Sequence, residues 1–417
     1  MIAVVGVLAV YALTGYCILA WAGIDRPALA PATGLAAIGI LLATAETAGI
    51  EVDRQTLGLI VVALLLITEF RGRLGRRAPR PTLPASILAA WIALQAAIAA
   101  RTPLGGFDGL VTWAYKAHAL LAYGTPDSPP FDRVLNPGPH PEYPILWPAL
   151  QANALQLNHG YDDAVLRAHA LVALGCLLLG AYALLGDRCG RWWALAFLGP
   201  FAASPVVIAN ASAGNADAIL AGLLAITLVA TFRGLTADDD RRLLLVAGLF
   251  AAAAVLTKNE GLLGVVAILA AAAIVTRRRA VLLLAAAAAV AYLPWRIFRA
   301  SHDLTDPDFT VGGGHLRDRL HELPGIIATI AGRVLAPTAW GVATIVAIVL
   351  LAVVPGRLRV LAVAWAALLG AGLTLSYLAT SLEPGVRLTR NAERTTLQLV
   401  LGLLCLAALA LRRRDSA

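Results

Sequence analysis

The sequence is short of charge, of lysine, and of any motif that would hold a metal or a nucleotide. Only 14% of its 417 residues are charged while 59% are hydrophobic, and the mean hydropathy is +0.78. That balance excludes a soluble globular enzyme, because the chain has too little polar surface to cover so much apolar area. Lysine occurs twice, as Lys116 and Lys258, among 33 basic residues. The arginine excess, accompanied by abundant Ala and Leu, is read as genomic base composition. The net charge of +8 falls in short clusters, with no basic domain or stripe, which argues against a nucleic-acid partner. Four cysteines form no CxxC pair: Cys17, Cys176 and Cys405 lie in apolar runs and Cys189 in a short Arg-containing loop. Neither a disulfide nor zinc is expected.

What fills the chain is apolar runs, at about residues 2–22, 28–47, 56–70, 83–100, 163–185, 192–210, 216–232, 243–257, 260–276, 280–297, 334–354, 358–379 and 396–411. They predict an all-α, polytopic transmembrane helical bundle of about 13 spans. The first run lacks a basic n-region and a small-residue cleavage site, so it reads as a retained span. No internal repeat and no soluble domain at either end is visible.

Arginine clusters fix the orientation. Arg71, Arg73, Arg76, Arg77 and Arg80 form the first, and Arg188 with Arg191 the next. Arg233 with Arg241 and Arg242, Arg277 to Arg279, Arg357 with Arg359, and Arg412 to Arg414 follow in alternate gaps. All share one side if every run crosses, and that side is the cytoplasm. Before residue 70 only Arg26 bears on the question. The opposite face then receives the loop 101–162, Asn210–Asp217, Thr257–Gly261, the segment of about 298–325, and 380–395. Both lysines fall there.

The long loop, 101–162, is expected to carry interfacial helices. Phe107, Leu110, Trp113, Ala114, Ala117, Leu120 and Leu121 recur at helical spacing, and a second short helix is expected at about 144–158. Trp113, Tyr115, Tyr123 and Trp147 suit headgroup depth.

Several residues have chemistry to offer. Asp108, just past the fourth run, has two compatible roles: an N-cap for the interfacial helix, or a base. Lys116 either snorkels at the headgroups or contacts phosphate; His118 reads as structural or solvated. His140, Glu142 and Tyr143 sit between prolines that stiffen the backbone, as in a binding site or a surface turn. Asn215 and Asp217 stand where a cap would, at the outer start of a span. Lys258, Asn259 and Glu260 tip a hairpin near bilayer depth, where ionisable groups are costly; this favours a site over a Lys–Glu pair capping two helices. His302, Asp303, Asp306 and Asp308 read as a cation site or, since their spacing is not that of an Asp-x-Asp-x-Asp-Gly loop, rather as a solvated segment, and Gly312–Gly314 lacks the strand–helix context of a phosphate loop. Arg387, Arg390 and Arg394 face outward against the topology bias, which an anionic ligand such as a lipid phosphate would explain; Arg394 is the best placed.

These stretches carry a resemblance. GGFDGLVTWAYKAHALLAYG followed by HPEYPILWPALQA resembles the first outer loop of bacterial GT-C superfamily membrane glycosyltransferases, in the branch of protein O-mannosyltransferases and aminoarabinose transferases (glycosyltransferase family 39). GNADAILAGLLAITL, LTKNEGLLGVVAILAA, YLPWRIFRASHDL and YLATSLEPGVRLTRNAERTTLQLVLGLL resemble later segments of that branch, in its order. The likeness runs from about residue 84 to the end. It divides the chain into extra N-terminal helices over 1–80 and a GT-C-like core over 81–417.

The resemblance implies an enzyme that moves a sugar from a polyprenyl-phosphate carrier to an acceptor hydroxyl, usually with inversion, at the outer face of a bacterial plasma membrane. The acceptor is a glycan, lipid or protein. Asp108 matches the acid that binds or deprotonates the acceptor; Lys258 and Arg394 match phosphate-binding positions, and on chemistry alone Lys116 is a further candidate. The substrate-binding set is Lys116, His140, Glu142, Tyr143, Asp217, Lys258, Asn259, Glu260 and Arg394. No cofactor is required, although a divalent cation has a place in such chemistry. Two departures stand out: some relatives have Asp-Glu where this chain has Asp108-Gly109, and many carry a large soluble C-terminal domain not seen here, leaving acceptor recognition to the outer loops. A lipid-linked glycan transporter is the rival from another class, disfavoured because the spans are nearly free of charge. A non-catalytic partner in an envelope-polymer complex is a third reading.

Overall fold

The computed structural model describes residues 2–71, 81–131, 140–237, 240–276, 279–305, 313–379 and 384–411. Among these residues there is no strand. Four helices precede the long loop: α1 (Ile2–Ala22), α2 (Ala30–Thr47), α3 (Arg54–Phe70) and α4 (Leu83–Ala99). The loop holds a π-helical turn, Gly109–Ala114, then α5 (Tyr115–Tyr123) and α6 (Leu146–Leu157). Next come α7 (Asp163–Cys189), α8 (Arg191–Ala203), α9 (Pro205–Ser212), α10 (Asp217–Phe232), α11 (Arg241–Val255), α12 (Asn259–Val275) and α13 (Ala280–Ser301). The chain closes with α14 (Gly313–Asp318), α15 (Leu323–Val334), α16 (Pro337–Trp340), α17 (Ala343–Val353), α18 (Arg357–Leu378), α19 (Pro384–Thr395) and α20 (Leu397–Ala410).

Helix starts follow local chemistry. Asp53, Asp162 and Asp240 accept bonds from the amides of Thr56, Ala164 and Arg242 and so cap α3, α7 and α11. Pro84 and Pro205 occupy first-turn positions, where a missing N–H costs nothing. Eight helical stretches are long and apolar enough to cross a membrane, with α8–α9 a ninth if that pair, bent by 62°, is one span. Helices α3, α4, α11, α12 and α17 have 11 to 17 residues, short of the roughly 20 a straight crossing needs, so length alone does not establish 13 crossings.

One stretch departs from expectation. The run anticipated as a single span over 334–354 is broken around Pro337 and Gly341 into α16 and α17, just after α15 ends at Val334. The longer apolar stretch is Leu320–Trp340, which starts inside the segment read as an outer loop. Proline ends the hydrogen-bonded ladder there, and apolar periodicity does not register that break.

Helix α10 is the axis of the bundle: every one of its residues is buried, against α7, α11, α12 and α20. At the periphery α13, α17 and α18 turn Leu282, Leu283, Val290, Val349 and Val363 outward, as a lipid-facing surface does. The first two helices belong to the same packing unit. A Cβ on Gly34 would lie 1.8 Å from the Tyr11 carbonyl oxygen, and one on Gly15 equally near that of Ala30. The two backbones touch, as small residues permit in membrane helices. The pair then packs on α6, α7 and α11.

The bundle has two chemically distinct ends. At one, Arg26 pairs with Asp187 at 2.8 Å, Arg242 donates to the Gly23 carbonyl at 2.9 Å, Arg233 donates to that of Leu184, and Arg71 lies 5.9 Å from the Trp21 ring. These contacts put the α1–α2 turn with the arginine clusters, a placement that Arg26 alone supported in the sequence. Arg73 to Arg80, Arg277, Arg278 and Arg412 to Arg414 lie outside the described residues. The segments read as outer gather at the other end.

Candidate active site

Asp108 is set by what holds the chain on both sides of it. After α4, the Leu104 amide donates to Asp163 Oδ2 at 3.0 Å and Arg167 donates to the Pro103 carbonyl, tying the descending turn to the start of α7. Immediately beyond, a Cβ on Gly109 would sit 1.9 Å from the Ala213 carbonyl oxygen, so only glycine lets this turn press against the α9–α10 connection. The Asp108 side chain makes no capping bond. It accepts from Arg394 Nη1 at 2.5 Å. The capping role is therefore not taken, and the extra residue of the π-turn that follows is a feature often met at functional sites.

Capping at α10 also differs from expectation. Asp217 is the first helical residue, not the cap, and Asn210 Oδ1 accepts from the Ala218 amide at 3.1 Å. Asp217 Oδ1 is left to accept from Lys258 Nζ at 2.8 Å, and Lys258 also meets Glu260 Oε1 at 3.1 Å. Lys258 is in extended backbone just before α12. Burial works against its charge, but the carboxylates of Asp217 and then Glu260 outweigh it and hold its pKa above the ordinary lysine value. Arg394 feels Asp217 as well as Asp108. The result is a chain of alternating charge, Asp108, Arg394, Asp217, Lys258, Glu260, with one carboxylate in excess. Oδ2 of Asp217 and Oε2 of Glu260 are buried without a hydrogen-bond partner.

An aromatic stack flanks these charges. Tyr143 lies between Trp113, at 5.8 Å, and His140, at 4.8 Å, with near-parallel planes, and Lys258 Nζ is 5.5 Å from the Tyr143 ring. His140 has φ of +49°, a left-handed conformation that non-glycine residues adopt only when surroundings impose it. Lys116 holds this turn, its ammonium donating to the carbonyls of His140 and Tyr143, and the Tyr143 amide closes it onto the His140 carbonyl at 3.1 Å. Lys116 is 1% exposed, so it neither snorkels nor faces the cleft; it clamps the loop from behind.

All of this surrounds a narrow, partly open cleft lined by Asp108, His140, Tyr143, Asp217, Lys258, Glu260 and Arg394. Thus seven of the residues singled out in the sequence converge, from five separate segments. Three others do not line it. Besides Lys116, Glu142 is buried behind His140, its Oε1 3.3 Å from the imidazole Nδ1, and Asn259 begins α12. Four lining residues escaped the sequence reading as site residues: Thr112, Trp113, Asn391 and Thr395. Thr112 is one turn beyond Asp108, and Asn391, which accepts from Arg394, one turn before it; helical spacing from those two charges would have found them. Trp113 and Trp147 are buried inside the protein, whereas Phe107 and Leu110 of the expected apolar stripe are exposed. The side chains of Arg387 and Arg390, with Asp306, Asp308 and Gly312, lie outside the described residues. Among the described residues no three His, Cys, Asp or Glu side chains are grouped as metal ligands. His302 instead faces Asp127 at 3.5 Å.

Residues 142–298 match the family model described as dolichyl-phosphate-mannose-protein mannosyltransferase. The match covers the segments bearing Tyr143, Asp217 and Lys258, and supports the GT-C membrane glycosyltransferase branch read from the sequence. No curated protein matches the chain in sequence. Among solved structures, the crystal structure of ArnT from Cupriavidus metallidurans in the apo state is similar at 17% identity and a TM-score of 0.46, over 79% of this chain and 58% of that one. The chain thus spans a little over half the length of that protein.

Proposed function

We propose that the chain is a polyprenyl-phosphate-sugar-dependent glycosyltransferase acting at the outer face of a bacterial plasma membrane. One observation carries the reading: a carboxylate, Asp108, and two cations, Arg394 and Lys258, brought by segments distant in sequence to the same cleft at the end of the bundle opposite the arginine clusters. Transfer by inversion needs a base beside the acceptor hydroxyl and positive charge beside the departing phosphate. In this scheme the donor phosphate takes Arg394, the more accessible of the two cations, and so releases Asp108. The freed carboxylate removes the acceptor proton as the acceptor oxygen bonds to the anomeric carbon. The bond from that carbon to the phosphate oxygen breaks, its electron pair leaves with the lipid phosphate, and Arg394 and Lys258 stabilise the charge that develops. The rings of Tyr143 and His140, stacked on the buried Trp113, line one wall of the cleft and offer a sugar ring apolar contact.

The test is transfer from a panel of radiolabelled polyprenyl-phosphate sugars to a membrane extract, comparing wild type with Asp108→Asn. Transfer that collapses in the variant supports the enzyme and its base together. Undiminished transfer by the variant removes Asp108 from the chemistry, and no transfer from any donor, with lipid moved across liposomes instead, returns the case to a transporter.

A further inference from the structure

The first two helices have no part in the scheme above, yet their buried polar groups lead straight to the cleft. Tyr11, in α1, is fully buried, and its hydroxyl meets His169 Nε2 of α7 at 3.0 Å. The His169 ring stacks on Trp147 of α6, centroids 5.3 Å apart and planes 9° apart. Trp147 Nε1 donates to the Gly214 carbonyl at 2.7 Å, and Gln151 Nε2 supports the same oxygen at 3.2 Å. Gly214 stands three residues before Asp217. The start of α6 holds the other side as well: the Leu146 amide donates at 3.0 Å to the carbonyl of Leu256, two residues before Lys258. Behind Leu146 is α2, where a Cβ on Gly39 would come within 2.9 Å of the Leu146 side chain.

From this geometry we infer that the α1–α2 hairpin is a positioning element of the cleft, with Tyr11 acting through His169 and Trp147 on the Gly214 turn. None of the three side chains touches the cleft, so these are positioning residues. A hydroxyl and an indole N–H buried among apolar helices are each costly to leave unpaired, and the imidazole between them bonds through Nε2 while its Nδ1 has no partner. Their pairing fixes one rotation of the Trp147 ring, and the ring's N–H fixes the turn that sets Asp217 opposite Lys258. A merely space-filling α1 would satisfy the packing with Phe at position 11. The inference rests on the proposed function only for what the cleft binds; the positioning itself is a property of the free protein.

Tyr11→Phe and Trp147→Phe, each keeping its ring, test this in the full-length protein in detergent. Hydrogen exchange reads the turn directly through the Gly214 and Asn215 amides, bonded at 2.9 and 3.3 Å to the Ala211 and Asn210 carbonyls. Each variant is expected to speed exchange there about tenfold while leaving α18 and α20 unchanged, and to weaken binding of farnesyl phosphate about fivefold. The double variant should match Trp147→Phe alone, because the two residues act on the turn in series. Wild-type exchange at 210–217 in Tyr11→Phe would overturn the inference. So would effects that multiply in the double variant, or exchange that accelerates equally across the bundle. The exchange measurement needs no ligand, so failure of the wild type to bind farnesyl phosphate would count against the proposed function and leave this result standing.

Discussion

Replacing Lys258 with Met separates what this residue does for the fold from what it does for a ligand. The side chains of Lys258 and Asp217 are 8% and 2% exposed, and removing the ammonium leaves Asp217 buried with no cation in contact through Oδ1. Breaking a buried pair in this way costs roughly 3–5 kcal/mol, most of it the penalty of the stranded carboxylate. Neutralising that carboxylate as well, in Lys258→Met with Asp217→Asn, is expected to recover part of the stability, since one of the two carboxylates that Lys258 serves is then gone and only Glu260, at 3.1 Å in the wild type, is left without its cation. Binding should not recover. A charge-assisted hydrogen bond to phosphate contributes about 1.5–3 kcal/mol, so both variants should bind farnesyl phosphate about 10- to 100-fold more weakly than wild type. Thermal midpoints in detergent and titration with farnesyl phosphate read the two effects separately. Wild-type affinity in either variant would refute the assignment of Lys258 to phosphate. Recovery of stability and affinity together in the double variant would reduce the lysine to a structural partner of Asp217.

Asp108→Asn should lower turnover by about 10²- to 10⁴-fold, the range for losing a general base, while farnesyl phosphate binding is retained or tightened because Arg394 no longer has a carboxylate to leave; single-turnover transfer and ligand titration check the pair of outcomes. His140→Gly removes a left-handed strain of about 1–3 kcal/mol but also takes the imidazole from buried Glu142 and from Tyr143, so the thermal midpoint should not rise while transfer falls; melting in detergent and the transfer assay check the two outcomes. Lys258, with its pKa raised in the fold, contributes stability that is complete below the unfolded-state lysine pKa of about 10.4 and is lost only as pH climbs beyond it through the raised folded value. The gap in thermal midpoint between wild type and Lys258→Met should therefore be level from neutral pH to about 10 and narrow above it.

The helical bundle was legible because the signal is compositional: apolar runs interrupted by arginine pairs survive any error in a single boundary. The two ends were legible for the same reason, and contacts such as Arg242 with Gly23 link stretches the sequence could only place on one side. What the sequence concealed was the direction in which buried polar side chains point. Lys116 and Lys258 look alike as lone lysines on the face opposite the arginine clusters, yet one clamps backbone carbonyls and the other faces the cleft. Helical periodicity likewise grouped Phe107 and Leu110 with Trp113, Ala117 and Leu120 on one membrane-facing stripe, because it does not register the π-turn at Gly109–Ala114; the first two are exposed and the others buried. Capping was assigned to Asp217 by its position before an apolar run. Asn210, seven residues earlier, does the work, through a fold-back no spacing rule supplies. The break at Pro337 was missed because hydropathy averages across it.

The excess carboxylate in the charge chain bears on turnover under the proposed chemistry. Once Asp108 carries the acceptor proton it has no claim on Arg394, and the lipid phosphate can stay. When that proton escapes to water, Asp108 regains its charge and competes for the guanidinium, now against a product that has lost its sugar and its contacts with the aromatic wall. Deprotonation and eviction of the spent carrier thus become one event, and the enzyme resets itself without a separate release step.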